Sequence, residues 1–203
     1  MNEIVIIIFQ LAILILSVMV HEVMHGYTAY FLGDMTAKNA KRLNFNPINH
    51  LDPFGSIILP LLLYMATAGT FVIGWAKPVP YNPLNLKNPK SGAGIIAIAG
   101  PLSNFAIAIF AALLLKINLV LGGLVQPIFL QIVIVLNLAL MVFNLVPIPP
   151  LDGSKVLFSL LPSRYFKIQY ALERYGLWIL LVFIFFGFSL IIPVINFLYN
   201  LLA

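Results

Sequence analysis

From Ile4 to Val20 the chain carries no charged side chain; only Gln10 and Ser17 are polar. The run then continues, with no polar loop between, into His21-Glu22-Val23-Met24-His25. An uncharged apolar stretch of about 20 residues is what a membrane-crossing helix requires. Ionisable groups embedded in such a stretch are costly in hydrocarbon and mark a functional site by default. On a helix, residues i and i+4 share a face, so His21 and His25 can turn imidazole nitrogens toward one metal ion. Glu22, rotated by about 100°, can reach a water on that metal, which is the logic of the H-E-x-x-H pattern of zinc hydrolases. Two surface histidines on an amphipathic helix would be the alternative, but the neighbouring Leu, Ile, Val and Met residues offer no solvated face.

Composition extends the membrane reading to the whole chain. Of 203 residues, 62% are hydrophobic and 8% charged, against about 25% charged in a soluble domain. The expected fold is an all-α polytopic membrane bundle of about four to six segments, forming a single domain over residues 1–203. There is no cysteine, which excludes disulfides and Cys-zinc sites. The N-terminus carries Glu3 and no basic region, so no cleavable signal peptide is expected. The net charge of +5 comes from scattered lysines and arginines, which fits membrane loops and not a nucleic-acid surface.

Taken in order, the first helix is expected from about Glu3 to Leu32 with Gly33 as its stop. Residues 34–53 read as a polar loop. Residues 54–73 are apolar but interrupted by Pro60 and Gly69. In residues 74–83, Pro78, Pro80 and Pro83 exclude helix and suggest a short strand-like region associated with the membrane. Further apolar runs cover residues 93–115, 127–146 and 175–202, the last bent near Pro193, with a turn at Gly122-Gly123. Basic residues cluster at 38–42, 77–90 and 155–174 and favour the cytoplasmic side. All three clusters share a side if residues 54–73 form a re-entrant hairpin buried against other helices; an ordinary span is the alternative. The hairpin brings His21 and Asp152 to one side of the membrane and is therefore expected, with the site toward the cytoplasm and both termini outside.

A catalytic zinc takes three protein ligands and leaves a position for water. The chain has six acids and three histidines, and Asp152 is the best third ligand. It follows Pro147, Pro149 and Pro150, which break the fourth apolar helix at membrane depth, as is tolerated beside a wet cavity. Asp152 can also simply cap the helix that begins at Gly153. His50 and Asp52 sit in a polar loop, Asp34 follows a glycine stop, and Glu173 lies among basic residues as an expected ion pair. Asn104 and Asn144 are amides inside apolar runs; they can bond helix to helix or position substrate backbone and its developing oxyanion.

Together, His21-Glu22-Val23-Met24-His25-Gly26, Gly100-Pro101-Leu102-Ser103-Asn104 and Asn144-Leu145-Val146-Pro147 leading to Leu151-Asp152-Gly153 resemble the site-2 protease family of intramembrane zinc metalloproteases. The motifs fall in the family's order on three apolar segments. The Gly-Trp-Ala-Lys-Pro-Val-Pro stretch resembles the family's membrane-associated strand region. The resemblance implies one zinc held by His21, His25 and Asp152, Glu22 as catalytic acid/base, and Asn144 as a contact for unwound substrate. It also implies cell-membrane localisation and a substrate that is a single-pass membrane protein already trimmed by another protease. Neither the PDZ nor the nucleotide-binding domain of some relatives is expected within these residues. A membrane zinc carrier or an inactive adaptor would be the competing functions. Against the first, no polar ladder continues across the bilayer; against the second, Glu22 is intact.

Overall fold

A computed structural model describes residues 3–58 and 76–203, together with residues 62, 65 and 74. The segment expected to re-enter, residues 54–73, lies largely outside the described residues. Helix α1 spans Glu3–Phe31. It ends as glycine stops do: Gly33 adopts φ 104°, its N–H bonds the Tyr30 carbonyl at 3.0 Å, and the Asp34 N–H reaches the Ala29 carbonyl at 2.9 Å. The expected loop contains two short helices, α2 (Thr36–Asn39) and α3 (Pro47–His50).

Residues 76–82 run without regular structure and pair with no strand among the described residues. The expected strand region is thus extended chain without a ladder, because Pro78, Pro80 and Pro83 carry no N–H. Helix α4 (Pro89–Val120) and α5 (Pro127–Asn144) follow, separated by Gly122 and Gly123 at φ 82° and 80°. The chain then breaks over residues 145–151 and enters α6 (Asp152–Leu160). The basic cluster at 155–174 is spread over α6, the turn after it and α7 (Phe166–Val182). Irregular helical turns over residues 183–190 lead to α8 (Ile192–Leu202), so the bend falls before Pro193.

Helix α4 is the axis of the molecule, in contact with α1, α5 and α6. Its Ala108, Ala111 and Ala112 are buried with Leu115 against Ile134, Leu138 and Met141 of α5 and Ile191 and Ile195 near α8. Small residues let helix backbones approach closely, which is how helices associate where lipid is the solvent. By length and composition, Glu3–Phe31, Pro89–Val120, Pro127–Asn144 and Ser163–Leu190 can each cross a membrane. Much of α1 before Ser17 is exposed, including Ile4, Ile7, Ile8 and Leu11, which suits hydrocarbon. Its buried residues begin at Ser17 and include His21, Val23 and His25. The motif therefore occupies the part of α1 that the other helices enclose.

Candidate metal centre

His21 and His25 are held from behind. The Nδ1–H of His21 donates to Asn104 Oδ1 at 2.6 Å, and the Nδ1–H of His25 donates to the Ile96 carbonyl at 2.7 Å. Both partners are acceptors, so Nδ1 must carry the proton and each Nε2 of the neutral ring presents a lone pair. Asp152 Oδ2 lies 3.0 Å from His21 Nε2 and 3.1 Å from His25 Nε2. Three acceptor atoms thus converge from helices α1 and α6, an arrangement that a bound cation would satisfy. The donor set, two imidazoles and one carboxylate with orienting bonds behind the rings, fits a catalytic zinc.

The surrounding backbone makes room for this convergence. A Cβ on Gly100 of α4 would stand 2.5 Å from His21 Nε2 and 2.6 Å from His25 Nε2, so glycine alone leaves space for the rings. A Cβ on Gly153 would meet the Leu145 carbonyl oxygen at 2.2 Å, so the broken chain folds back tightly over the start of α6. Asp152 is the first residue of α6, after an N-cap at Leu151, and its carboxylate is turned to the histidines. Its Oδ1 lies 3.8 Å from Lys155 Nζ.

The Glu22 carboxylate lies beside the histidine nitrogens, the three side chains offering ligand atoms within 4.8 Å of one another. It is drawn off by the backbone: Val79 N–H donates to Glu22 Oε2 at 2.9 Å. Asp152 is the closer carboxylate to both nitrogens, and Glu22 stands at the side of the cluster. These groups open on a cavity of about 190 Å³, whose wall also includes Val79, Tyr81, Asn144 and Lys155.

The two asparagines separate. Asn144 lines the cavity and donates from Nδ2 to the Leu140 carbonyl at 2.9 Å. Asn104 is fully buried. Besides receiving His21, it donates to Asn137 Oδ1 at 3.0 Å and to the Ser17 carbonyl at 3.3 Å. The geometry makes Asn104 a support for His21, behind the ring and away from the cavity. Asn137 belongs to the same buried chain and donates onward to the Val133 carbonyl. Its only sign in the sequence is an amide inside an apolar run, as for Asn104 and Asn144.

The remaining candidates stay out of the cluster. His50 is buried and donates from Nε2 to the Asn44 carbonyl at 2.8 Å. Asp52 accepts from Gly55 N–H at 2.6 Å. Glu173 accepts from Gln169 Nε2 at 3.1 Å, in place of the expected basic partner. Asp34, read as a helix-end residue, is fully buried and binds residues 82 and 85.

The sequence profile of peptidase family M50 matches residues 122–187, which contain Asn144 and Asp152. The chain is 40% identical over 178 residues to "Putative zinc metalloprotease YwhC" of Bacillus subtilis (strain 168), covering 83% of this chain and 76% of that protein. It is 29% identical over 142 residues to "Putative zinc metalloprotease Rip2" of Mycolicibacterium smegmatis, covering 68% of this chain and 52% of that protein. The match therefore takes in about half the length of the mycobacterial relative. No solved structure matches the chain.

Proposed function

We infer that this chain, which belongs to peptidase family M50 and to its site-2 type of membrane zinc metalloprotease, hydrolyses a peptide bond within or beside a membrane-spanning segment of its substrate. The observation that carries the reading is the approach of Asp152 Oδ2 to both Nε2 atoms, at 3.0 and 3.1 Å, with the Glu22 carboxylate beside them. His21, His25 and Asp152 would hold one zinc, which when bound supplies a Lewis acid that acidifies water and polarises a carbonyl.

Glu22 takes the proton released by the attacking water and hands it to the departing amine. Val79 N–H fixes the carboxylate's direction while this happens. Asn104 and the Ile96 carbonyl hold the imidazoles in one tautomer. Asn144, on the cavity wall, is placed to donate to substrate backbone or its oxyanion.

A substrate helix has its backbone carbonyls tied up in its own i→i−4 hydrogen bonds, so it must unwind locally before a peptide bond is accessible to Glu22. An extended substrate finds a partner in residues 79–81: the Val79 C=O and Tyr81 N–H have no hydrogen-bond partner among the described residues. Peptide recognition by addition to such an edge is common, and the prolines confine it to these groups. The substrate class we propose is a single-pass membrane protein, with the site toward the cytoplasmic side, which the basic residues Lys38, Lys41, Arg42, Lys77, Lys87 and Lys90 favour.

The test pairs zinc content with cleavage of a single-span transmembrane reporter in detergent, for wild type and Glu22→Gln. Equal zinc with cleavage only by wild type supports the reading. Cleavage by the variant at the wild-type rate, or wild-type protein without zinc, refutes it.

A further inference from the structure

Among the described residues, two carboxylates are buried: Asp152 of the metal centre and Asp34. Asp34 follows Gly33 at the end of α1 and is fully enclosed. Its Oδ1 accepts from Thr36 N–H at 3.1 Å, Thr36 Oγ1–H at 2.5 Å and Asn85 Nδ2 at 2.7 Å. Its Oδ2 accepts from Asn82 N–H at 2.7 Å. Burial works against the charge, but the bonds from Thr36, Asn85 and Asn82 outweigh it and hold the carboxyl below the ordinary carboxylate range. A buried carboxylate satisfied this fully is a fixed anchor, and what it anchors is the segment that reaches Glu22.

Residues 77–85 are held at three stations. At the first, Lys77 N–H donates to the His50 carbonyl and the Lys77 carbonyl accepts from Arg42 Nη2, both at 2.9 Å. At the second, Val79 N–H donates to Glu22 Oε2. At the third, Asn82 and Asn85 meet Asp34. Pro78 and Pro80 flank Val79, so its N–H is the sole peptide donor over residues 78–80. The side chain of Val79 is buried against α1 so closely that a Cβ on Gly26 would stand 2.7 Å from its Cγ1. One helix and its cap thus carry both carboxylates that grip the segment: Glu22 for the chemistry, Asp34 for the hold.

We propose that Asp34 is a positioning residue for Glu22: by fixing Asn82 and Asn85 it registers residues 77–85 so that Val79 N–H meets Glu22 Oε2. This rests on the reading of Glu22 as the proton-transferring group. A misplacement of about 1 Å at such a group costs about 100-fold in rate, so releasing the anchor should be visible in kcat while the zinc ligands, held by other bonds, are spared.

The experiment compares wild type, Asp34→Ala and the reciprocal double variant Asp34→Asn/Asn85→Asp. The full chain in detergent is used with added zinc, and a single-span transmembrane reporter is the substrate. Wild-type cleavage of that reporter is the control that tests the protease reading itself, whereas zinc content and amide hydrogen exchange are measured independently of it. The expected result for Asp34→Ala is unchanged zinc, unchanged exchange in α1, and exchange over residues 77–86 faster by about tenfold or more. With these, kcat falls about 10- to 100-fold and is restored in large part by the reciprocal pair, which rebuilds the 34–85 hydrogen bond. Faster exchange with kcat intact would overturn the proposal. So would a loss of zinc equal to the loss of kcat, or a reciprocal pair no better than Asp34→Ala.

Discussion

Gly100→Ala isolates the space on which the metal centre depends. The new Cβ would lie 2.5 Å from His21 Nε2 and 2.6 Å from both Cε1 and Nε2 of His25, about 1 Å inside ordinary contact. Neither ring has room to retreat in its own plane, because Asn104 Oδ1 sits 2.6 Å behind His21 and the Ile96 carbonyl 2.7 Å behind His25. The substitution also acts in the opposite direction: alanine in a helix interior is favoured over glycine by about 1 kcal/mol, while overpacking costs about 1–3 kcal/mol. Stability without metal should therefore fall by no more than about 2 kcal/mol. Zinc affinity has no such compensation. Breaking one orienting bond behind a ligand already costs about 10- to 100-fold. Displacing two ligand nitrogens should cost about 100-fold or more, or about 2.8 kcal/mol. Competition against a chromophoric chelator reads the affinity, and thermal unfolding of metal-free protein reads the stability. A variant that folds like wild type and binds zinc within about threefold of it would show that the rings do not meet the metal where this geometry puts them.

Three further outcomes follow from the same contacts. Glu22→Gln keeps the Val79 contact geometry and the zinc ligands but cannot take a proton, so cleavage should fall about 100- to 10,000-fold with zinc content unchanged, as read by paired metal analysis and reporter turnover. Asn137→Leu removes the acceptor that orients Asn104, which should weaken zinc about tenfold in the same chelator competition. Asp34 gives a pH dependence with a defined sign. Its folded value is lowered, so its stabilisation is present above the unfolded value of about 4 and is lost as pH falls through the lowered one. Thermal unfolding of Asp34→Asn followed from about pH 6 to about pH 3 should show a shallower acid loss than wild type, and parallel curves would contradict the assignment.

What the sequence discloses, and what it withholds, follows the range of the interaction concerned. His21, Glu22 and His25 are related by helix period alone, so their shared face is a local property that spacing reveals. The membrane runs are equally local, as is the glycine stop at Gly33. Asp152 required one further step, since the prolines before it announce a break and the shortage of acids narrows the candidates. The choice between capping and ligation was open in the sequence. What turns the Asp152 carboxylate toward His21 is the way α6 lies against α1, a contact between residues 131 apart in the chain.

The parts that stayed hidden are those whose meaning depends wholly on a distant partner. Asn104 and Asn144 have the same side chain in the same apolar setting, yet one backs a histidine and the other lines the cavity. No local pattern separates them. Asp34 looks like a helix-end residue because its partners stand 48 and 51 positions away, across a segment whose prolines conceal a three-point anchorage. Val79 is harder still, since its contribution to Glu22 is a backbone N–H and leaves no trace in side-chain chemistry. Its only sequence sign is that, between two prolines, it alone retains a donor. A proline there would remove the sole hydrogen-bond donor of residues 78–80 while leaving every side chain of the metal centre in place. The lone donor between Pro78 and Pro80 is thus a feature of the site as definite as the two histidines, expressed through the residues that flank it.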